Sequence, residues 1–221
     1  PVADPTPSPV AEPTPSPVAD PTPSPVDQPT DNGGGGKQYG ETFIGDGTYY
    51  GYAAGNCAIH EPIPSMYDGM TPVAIFYADG DSLMCGACIE GTGYGTGFGS
   101  TPINGSFKAY VSDKCSECES ADLDFADESG DGRWDIEWHF VECSGGGDPE
   151  FFFEDSNENS WKIQARGTKT PVEELKVAGH AASRTDDNFF IAEEGSPFEG
   201  AQVVETRTIG GVSRSTSEAM P

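Results

Sequence analysis

The stretch Tyr110-Val111-Ser112-Asp113-Lys114-Cys115-Ser116-Glu117-Cys118-Glu119-Ser120-Ala121-Asp122-Leu123-Asp124-Phe125 decides how the chain is read. It begins as a strand and ends that strand on Asp113. A small loop bounded by Cys115 and Cys118 follows, and Asp124 then emerges from the apolar pair Leu123 and Phe125. Two carboxylates brought together beside a groove are the minimum for acid–base chemistry at a glycosidic bond. The plainer alternative is that Asp113 and Asp124 both cap loop amides.

Around this stretch, short apolar runs alternate with Gly, Asp, Pro and Ser boundaries. They include Thr48 to Tyr52, Val73 to Tyr77, Gly105 to Val111 and Trp134 to Trp138. Runs of this length, rich in β-branched and aromatic residues, predict strands of an all-β domain. The segment Gly91 to Gly99, with glycine at every second position, is expected to be a flexible loop. After a break at Ser144 to Pro149, further strands are expected at Phe151–Phe153, Trp161–Ala165, Glu174–Val177, Phe189–Ala192 and Ala201–Thr208, a pattern suited to a small β-sandwich. No long amphipathic helix is evident.

The six cysteines, at 57, 85, 88, 115, 118 and 143, admit two readings. Cys85-Gly-Ala-Cys88 and Cys115-Ser-Glu-Cys118 could be two zinc knuckles, but the gap between them is longer than usual and Cys57 and Cys143 are left over. The even count, beside a Pro/Thr/Ser tract, favours disulfides and an oxidising compartment. Asp127 to Trp138 begins like a calcium-binding loop, yet Trp138 stands where the bidentate Glu belongs, so an acidic β-turn is expected. No metal or other cofactor is expected.

Residues 1–36 have a different character. An eight-residue unit, PVADPTPS at Pro1, recurs at Pro9 and Pro17 and decays at Pro25 before Gly33-Gly34-Gly35-Gly36. Dense proline excludes helix and sheet, so a disordered, extended spacer is expected, with Thr and Ser open to O-glycosylation. The opening Pro1-Val2-Ala3-Asp4 is unlike a signal peptide and reads as a mature or trimmed product. The net charge of −26, from 37 acidic and 11 basic residues, argues against nucleic-acid and anionic-membrane partners and suits a neutral one.

The central segment resembles the V-x-D-x-C-x-x-C…D-L-D-[LF] signature of expansins and their microbial relatives. Gly47-Thr48-Tyr49-Tyr50-Gly51, Leu83-Met84-Cys85-Gly86-Ala87-Cys88, Asp131-Gly132 through Ile136-Glu137-Trp138…Cys143, and Ser160-Trp161-Lys162-Ile163-Gln164-Ala165-Arg166-Gly167 resemble further pieces of the same family in the same order. The resemblance runs roughly from Thr42 to Arg214. It implies a six-stranded double-psi β-barrel at 37–147, then an immunoglobulin-like, cellulose-binding sandwich at 148–221, with 1–36 as spacer. It implies a secreted, extracellular protein, a monomer, that loosens cell-wall polysaccharide without hydrolysing it. It places Thr48, Tyr50, Asp113 and Asp124 along the barrel groove, gives Asp124 the place of the indispensable acid, and pairs Cys57–Cys85, Cys88–Cys143 and Cys115–Cys118.

Departures from the family are also visible. Asp122 stands where plant members often carry His, and a short helix after that position is largely missing. The sandwich of the family carries a row of exposed aromatics. Here Trp161 is either a stacking ring or a core residue, Asp187 takes the place of another ring, and Phe189 or Phe190 is the available substitute. The rival function is a family-45-like endoglucanase, whose base would fall at Tyr52, leaving Asp46 and Asp113 as nearby carboxylates. A barwin-type barrel without catalysis is the third possibility, and the second β domain argues against it. Because residues 1–36 hold little apolar surface to bury, a chain lacking them should melt at the temperature of the full chain in calorimetry and keep its activity.

Overall fold

A computed structural model describes residues 39–51, 55–59, 62–76, 82–193 and 198–219. The Pro-rich spacer and Tyr52 lie outside the described residues. Six strands, β1 (Phe43–Tyr50), β2 (Thr71–Phe76), β3 (Cys88–Phe98), β4 (Asn104–Cys115), β5 (Leu123–Ala126) and β6 (Arg133–Val141), close into a barrel in the order β1-β5-β2-β4-β3-β6. The pairs β1·β5 and β2·β4 are parallel, and the other described pairings within the barrel are antiparallel. This is the expected double-psi barrel. Its core is filled from alternate positions, among them Val73, Ile89, Val111, Leu123, Ile136, Trp138 and Phe140, all buried.

Of the segment expected to be a loop, Gly91 to Gly99, all but Gly99 is instead the longer part of β3. Its glycines are an interior feature. A Cβ at Gly91 would lie 2.3 Å from the Phe107 ring, and one at Gly93 would lie 2.4 Å from the carbonyl oxygen of Ile103. Period-two glycine is thus the signature of a strand whose inward positions are already occupied by the side chains of β4 and its approach.

Eight further strands follow: β7 (Glu150–Phe153), β8 (Ser160–Arg166), β9 (Val172–Val177), β10 (His180–Ala181), β11 (Ser183–Arg184), β12 (Phe190–Glu193), β13 (Gln202–Thr208) and β14 (Ser213–Glu218). They form two four-stranded sheets, β10-β9-β13-β14 and β11-β12-β8-β7. Trp161, Ile163, Leu175, Val177, Phe190, Phe198 and Val204 make the core between them.

The three disulfides are Cys57–Cys85, Cys88–Cys143 and Cys115–Cys118, as the resemblance implied. Since Cys115 and Cys118 are bonded to each other, they offer no thiolate to zinc. Of the segment Asp127 to Trp138, Asp127 to Gly132 form the acidic turn between β5 and β6, where Asp127 accepts hydrogen bonds from Ser129, and Arg133 to Trp138 belong to β6, with Trp138 in the barrel core.

Barrel and sandwich are joined by polar contacts, buried at Gln164 and Arg166 and exposed at Asp186. Gln164 donates to the Cys57 carbonyl at 3.0 Å, and Arg166 donates to the Ala58 carbonyl at 3.1 Å while lying over the Phe152 ring at 4.2 Å. Lys114 and Asn56 both donate to the Asp186 carbonyl, and Ser82 donates to that of Thr185.

Trp161 settles into the sandwich core at 1 % exposure, with Phe153 and Phe198 against it. It is not a stacking ring for polysaccharide. Phe189 and Phe190 are equally buried and cannot replace one. The parity of β8 decides this: Trp161, like Ile163, points between the sheets. Replacing Trp161 with Ala should therefore lower stability in urea unfolding by about 3–5 kcal/mol, the cost of deleting a large buried ring.

Candidate functional site

Strand β5 is short and lies parallel to β1 on one side and antiparallel to β2 on the other. Leu123 and Phe125 point into the core, which leaves Asp124 on the outer face. The register sets Asp124 beside Thr48 on β1 and beside Ala74 on β2, and sets Ala74 in turn beside Asp113 on β4. The two candidate acids are thus two strands apart, about 10 Å between their backbones.

Thr48 donates its hydroxyl to Asp124 Oδ1 at 2.6 Å. A carboxylate oxygen of Asp124 and the sulfurs of Cys115 and Cys118 all lie within 4.8 Å of one another, so the small disulfide loop forms an apolar wall on one side of the acid. Desolvation is the main effect on Asp124 and raises its pKa above the ordinary aspartate value. The Thr48 hydrogen bond and the Arg133 charge oppose that rise, and the charges of Asp113 and Asp122 add to it.

The neighbouring carboxylates are committed elsewhere. Asp113 Oδ1 accepts from the backbone amides of Asn56 at 2.7 Å and Lys114 at 2.8 Å. Both of those residues also hold the Asp186 carbonyl of the sandwich, so Asp113 organises the joint between the two parts. Asp46 forms an ion pair with Arg133 at 2.7 Å. Asp122 is buried: its Oδ1 accepts from the Asp46 amide at 2.9 Å, and its Oδ2 accepts from Arg133 at 3.2 Å and from the Glu119 amide. Asp122 therefore anchors the loop to β1.

Arg133 is a site residue that the motifs did not single out. It sits at the start of β6 and draws Asp46 and Asp122 together across β1. Among the motif residues, Thr48 and Asp124 meet directly. Tyr50 follows Thr48 on the outer side of β1, beside Ala126, with its hydroxyl buried. Trp161 belongs to the sandwich core and takes no part in the site.

The loop is positioned by a strained residue. Ala121 has φ 79°, a left-handed conformation unfavourable for a side chain with a Cβ. Its carbonyl accepts the indole N–H of Trp138 at 2.7 Å. That same carbonyl would be 2.3 Å from a Cβ on Gly45, so β1 needs glycine where the loop presses on it.

No family model matches the chain, and no curated protein matches it. Among solved structures, a point mutant of the Clavibacter michiganensis expansin in complex with cellohexaose superposes with a TM-score of 0.65 at 21 % identity, covering 82 % of this chain and 93 % of that one. The apo form of the same expansin superposes with a TM-score of 0.65 at 20 % identity, with the same coverage. The fold of this chain is the expansin fold.

A raised carboxyl pKa carries a sign for stability. The fold disfavours ionised Asp124, so the wild type loses stability as pH rises from the unfolded aspartate range through the raised folded pKa. Asp124→Asn keeps an oxygen that accepts from Thr48 and removes the buried charge. Its melting temperature should exceed that of the wild type at pH 7, and the difference should close towards pH ~3, where both side chains are neutral. Thermal melts across that range check this.

Proposed function

We propose that this chain is a secreted, expansin-like protein that binds a cell-wall β-glucan such as cellulose on its barrel and loosens the packing of the polymer without hydrolysing it. The observation that carries this is the isolation of Asp124. It is the carboxyl of the site whose pKa is raised and whose bond to Thr48 leaves its second oxygen for a ligand, whereas Asp46 and Asp113 are engaged with Arg133 and with backbone amides. A carboxyl of this kind exchanges hydrogen bonds with the hydroxyls of a glucan chain and so competes with the glucan–glucan contacts of the wall. Cleavage needs a second carboxylate able to activate water. Asp46 is already held by the Arg133 guanidinium, and Asp113 would have to give up its two amide bonds.

Further support is indirect. The expansin with the same fold was crystallised with cellohexaose. Three disulfides and a Pro/Thr/Ser tract suit an oxidising exterior. The acidic charge suits a neutral polymer and disfavours nucleic acid and anionic membranes. We divide the chain into 1–36 as spacer, 37–147 as the active barrel and 148–221 as the accessory sandwich, without cofactor or metal and acting as a monomer. The rival reading is a family-45-like endoglucanase.

A filter-paper weakening assay run beside a reducing-sugar assay separates the two. The wild type should weaken the paper without releasing sugar, and Asp124→Asn should lower that weakening by roughly 10- to 100-fold, the value of one hydrogen bond to a charged group. Sugar release by the wild type that disappears in Asp124→Asn would establish the endoglucanase instead.

A further inference from the structure

The barrel carries apolar surface that the site described above does not use. Phe98 is 70 % exposed, Tyr94 53 % and Ile44 76 %, and the two rings are the most exposed aromatics among the described residues. All three border the outer face of β6. Phe98 pairs with Arg133 across β3·β6, so the two side chains share a face. Tyr94 reaches over the same strand and donates its hydroxyl to Glu137 at 3.1 Å. Ile44 pairs with Glu137 from the β1 side. Arg133 and Glu137 are four residues apart, about 13 Å along the strand.

The patch is continuous with the Asp124 groove. Gly47 pairs with Trp134, and continuing that register by one residue brings Thr48 beside Arg133. The outer face therefore reads, strand by strand, Phe98 on β3, Arg133 on β6, Thr48 on β1 and Asp124 on β5. Arg133 stands between the rings and the acid, with its NH1 held by Asp46 and Asp122.

We propose that Phe98, Tyr94 and Ile44 form a sugar-stacking platform that extends the Thr48–Asp124 groove and holds the continuation of the same β-linked, neutral glucan chain. This rests on the polysaccharide-binding function proposed above and deepens it. A pyranose ring offers an apolar C–H face and polar edges. Exposed aromatic rings fit the face, and the fixed guanidinium of Arg133 and the carboxylates of Asp135 and Glu137 fit the hydroxyls. Those carboxylates also select against an anionic polymer. A second copy of the chain is a poor occupant, because each copy carries a charge of −26 and β3 is already paired on both sides. Among the described residues, the sandwich offers Val203 and Val212 as its large exposed apolar side chains, without a ring, so stacking falls to the barrel.

The test is isothermal titration of the full chain with cellohexaose and with cellotriose. The double variant Phe98→Ala/Tyr94→Ala should keep the wild-type melting temperature, since both rings are exposed, and should lose about tenfold or more in affinity for the longer sugar. The shorter sugar, covered by the Asp124 end, should lose less. Phe98→Trp should keep the affinity. Its emission should shift to the blue on addition of cellohexaose, against a background of native tryptophans that are buried. Unchanged cellohexaose affinity in the double variant, or an unmoved Phe98→Trp emission while the sugar binds, overturns the platform and leaves the groove standing. If the wild type binds neither sugar, the platform and the polysaccharide function fall together. A concentration-dependent dimer in sedimentation that Phe98→Ala abolishes, with sugar affinity unchanged, assigns the patch to a second copy and also overturns the proposal.

Discussion

Trp138 donates its indole N–H to the carbonyl of Ala121, and the geometry of the whole groove follows from where that bond stops the chain. The strand β5 must enter between β1 and β2 immediately afterwards, only two residues later. Ala121 accepts a left-handed backbone to make the turn, and Gly45 gives up its side chain so that the loop can lie against β1. Such strain persists only where the surroundings over-determine it. Here the constraints are the Trp138 bond, the Cys115–Cys118 bridge, and Asp122 gripping the Asp46 amide. Together they set the register that places Asp124 against Thr48.

Much of this was legible in the sequence because it is local. The spacing C-x-x-C followed by Asp124 between Leu123 and Phe125 describes a closed loop and a strand with one polar face, and β5 and its acid are where that pattern puts them. Thr48 and Asp124 both lie inside motifs, and the structure brings them together. What was not legible depends on the barrel interior. Glycine at every second position from Gly91 to Gly97 looks like a loop until Phe107 and Ile103 are seen to occupy the space opposite. Only then does the same pattern become a strand, with Tyr94 and Phe98 on its outside. Arg133 escaped notice for a related reason: its partners are 87 and 11 residues away, and no short motif encodes them. Trp161 was ambiguous because a shift of one position exchanges core for surface in a strand, and the tertiary packing chose the core.

The electrostatics explain how so acidic a chain maintains a defined site. With 11 basic residues against 37 acidic ones, cations are scarce, and two arginines stand at structural junctions. Arg166 is buried between sandwich and barrel, where desolvation works against its charge and bonds to the Ala58 carbonyl and to Gln164 hold it. Arg133 gathers Asp46 and Asp122. Removing a cation from such a contact leaves carboxylates facing one another in a partly dry environment, which costs more than the pair contributes when intact. Asp113 shows the complementary solution, in which backbone amides rather than a cation satisfy the carboxylate.

Asp124 differs from these neighbours in having, among the described residues, neither an ion pair nor a set of backbone amides. A hydroxyl and a distant guanidinium partly offset its desolvation, and two nearby carboxylates add to it. One of its oxygens accepts from Thr48, and a carboxyl has further lone pairs to offer a hydrogen-bond donor. That spare capacity suits a ligand built of hydroxyls. Hydrolysis would require an acid and a base at the same time, and among the described residues Asp46, Asp113 and Asp122 are already used to build the loop and the joint. The constraint that positions the acid also engages the carboxylates beside it, and that is the physical ground for the proposed hydrogen-bond exchange.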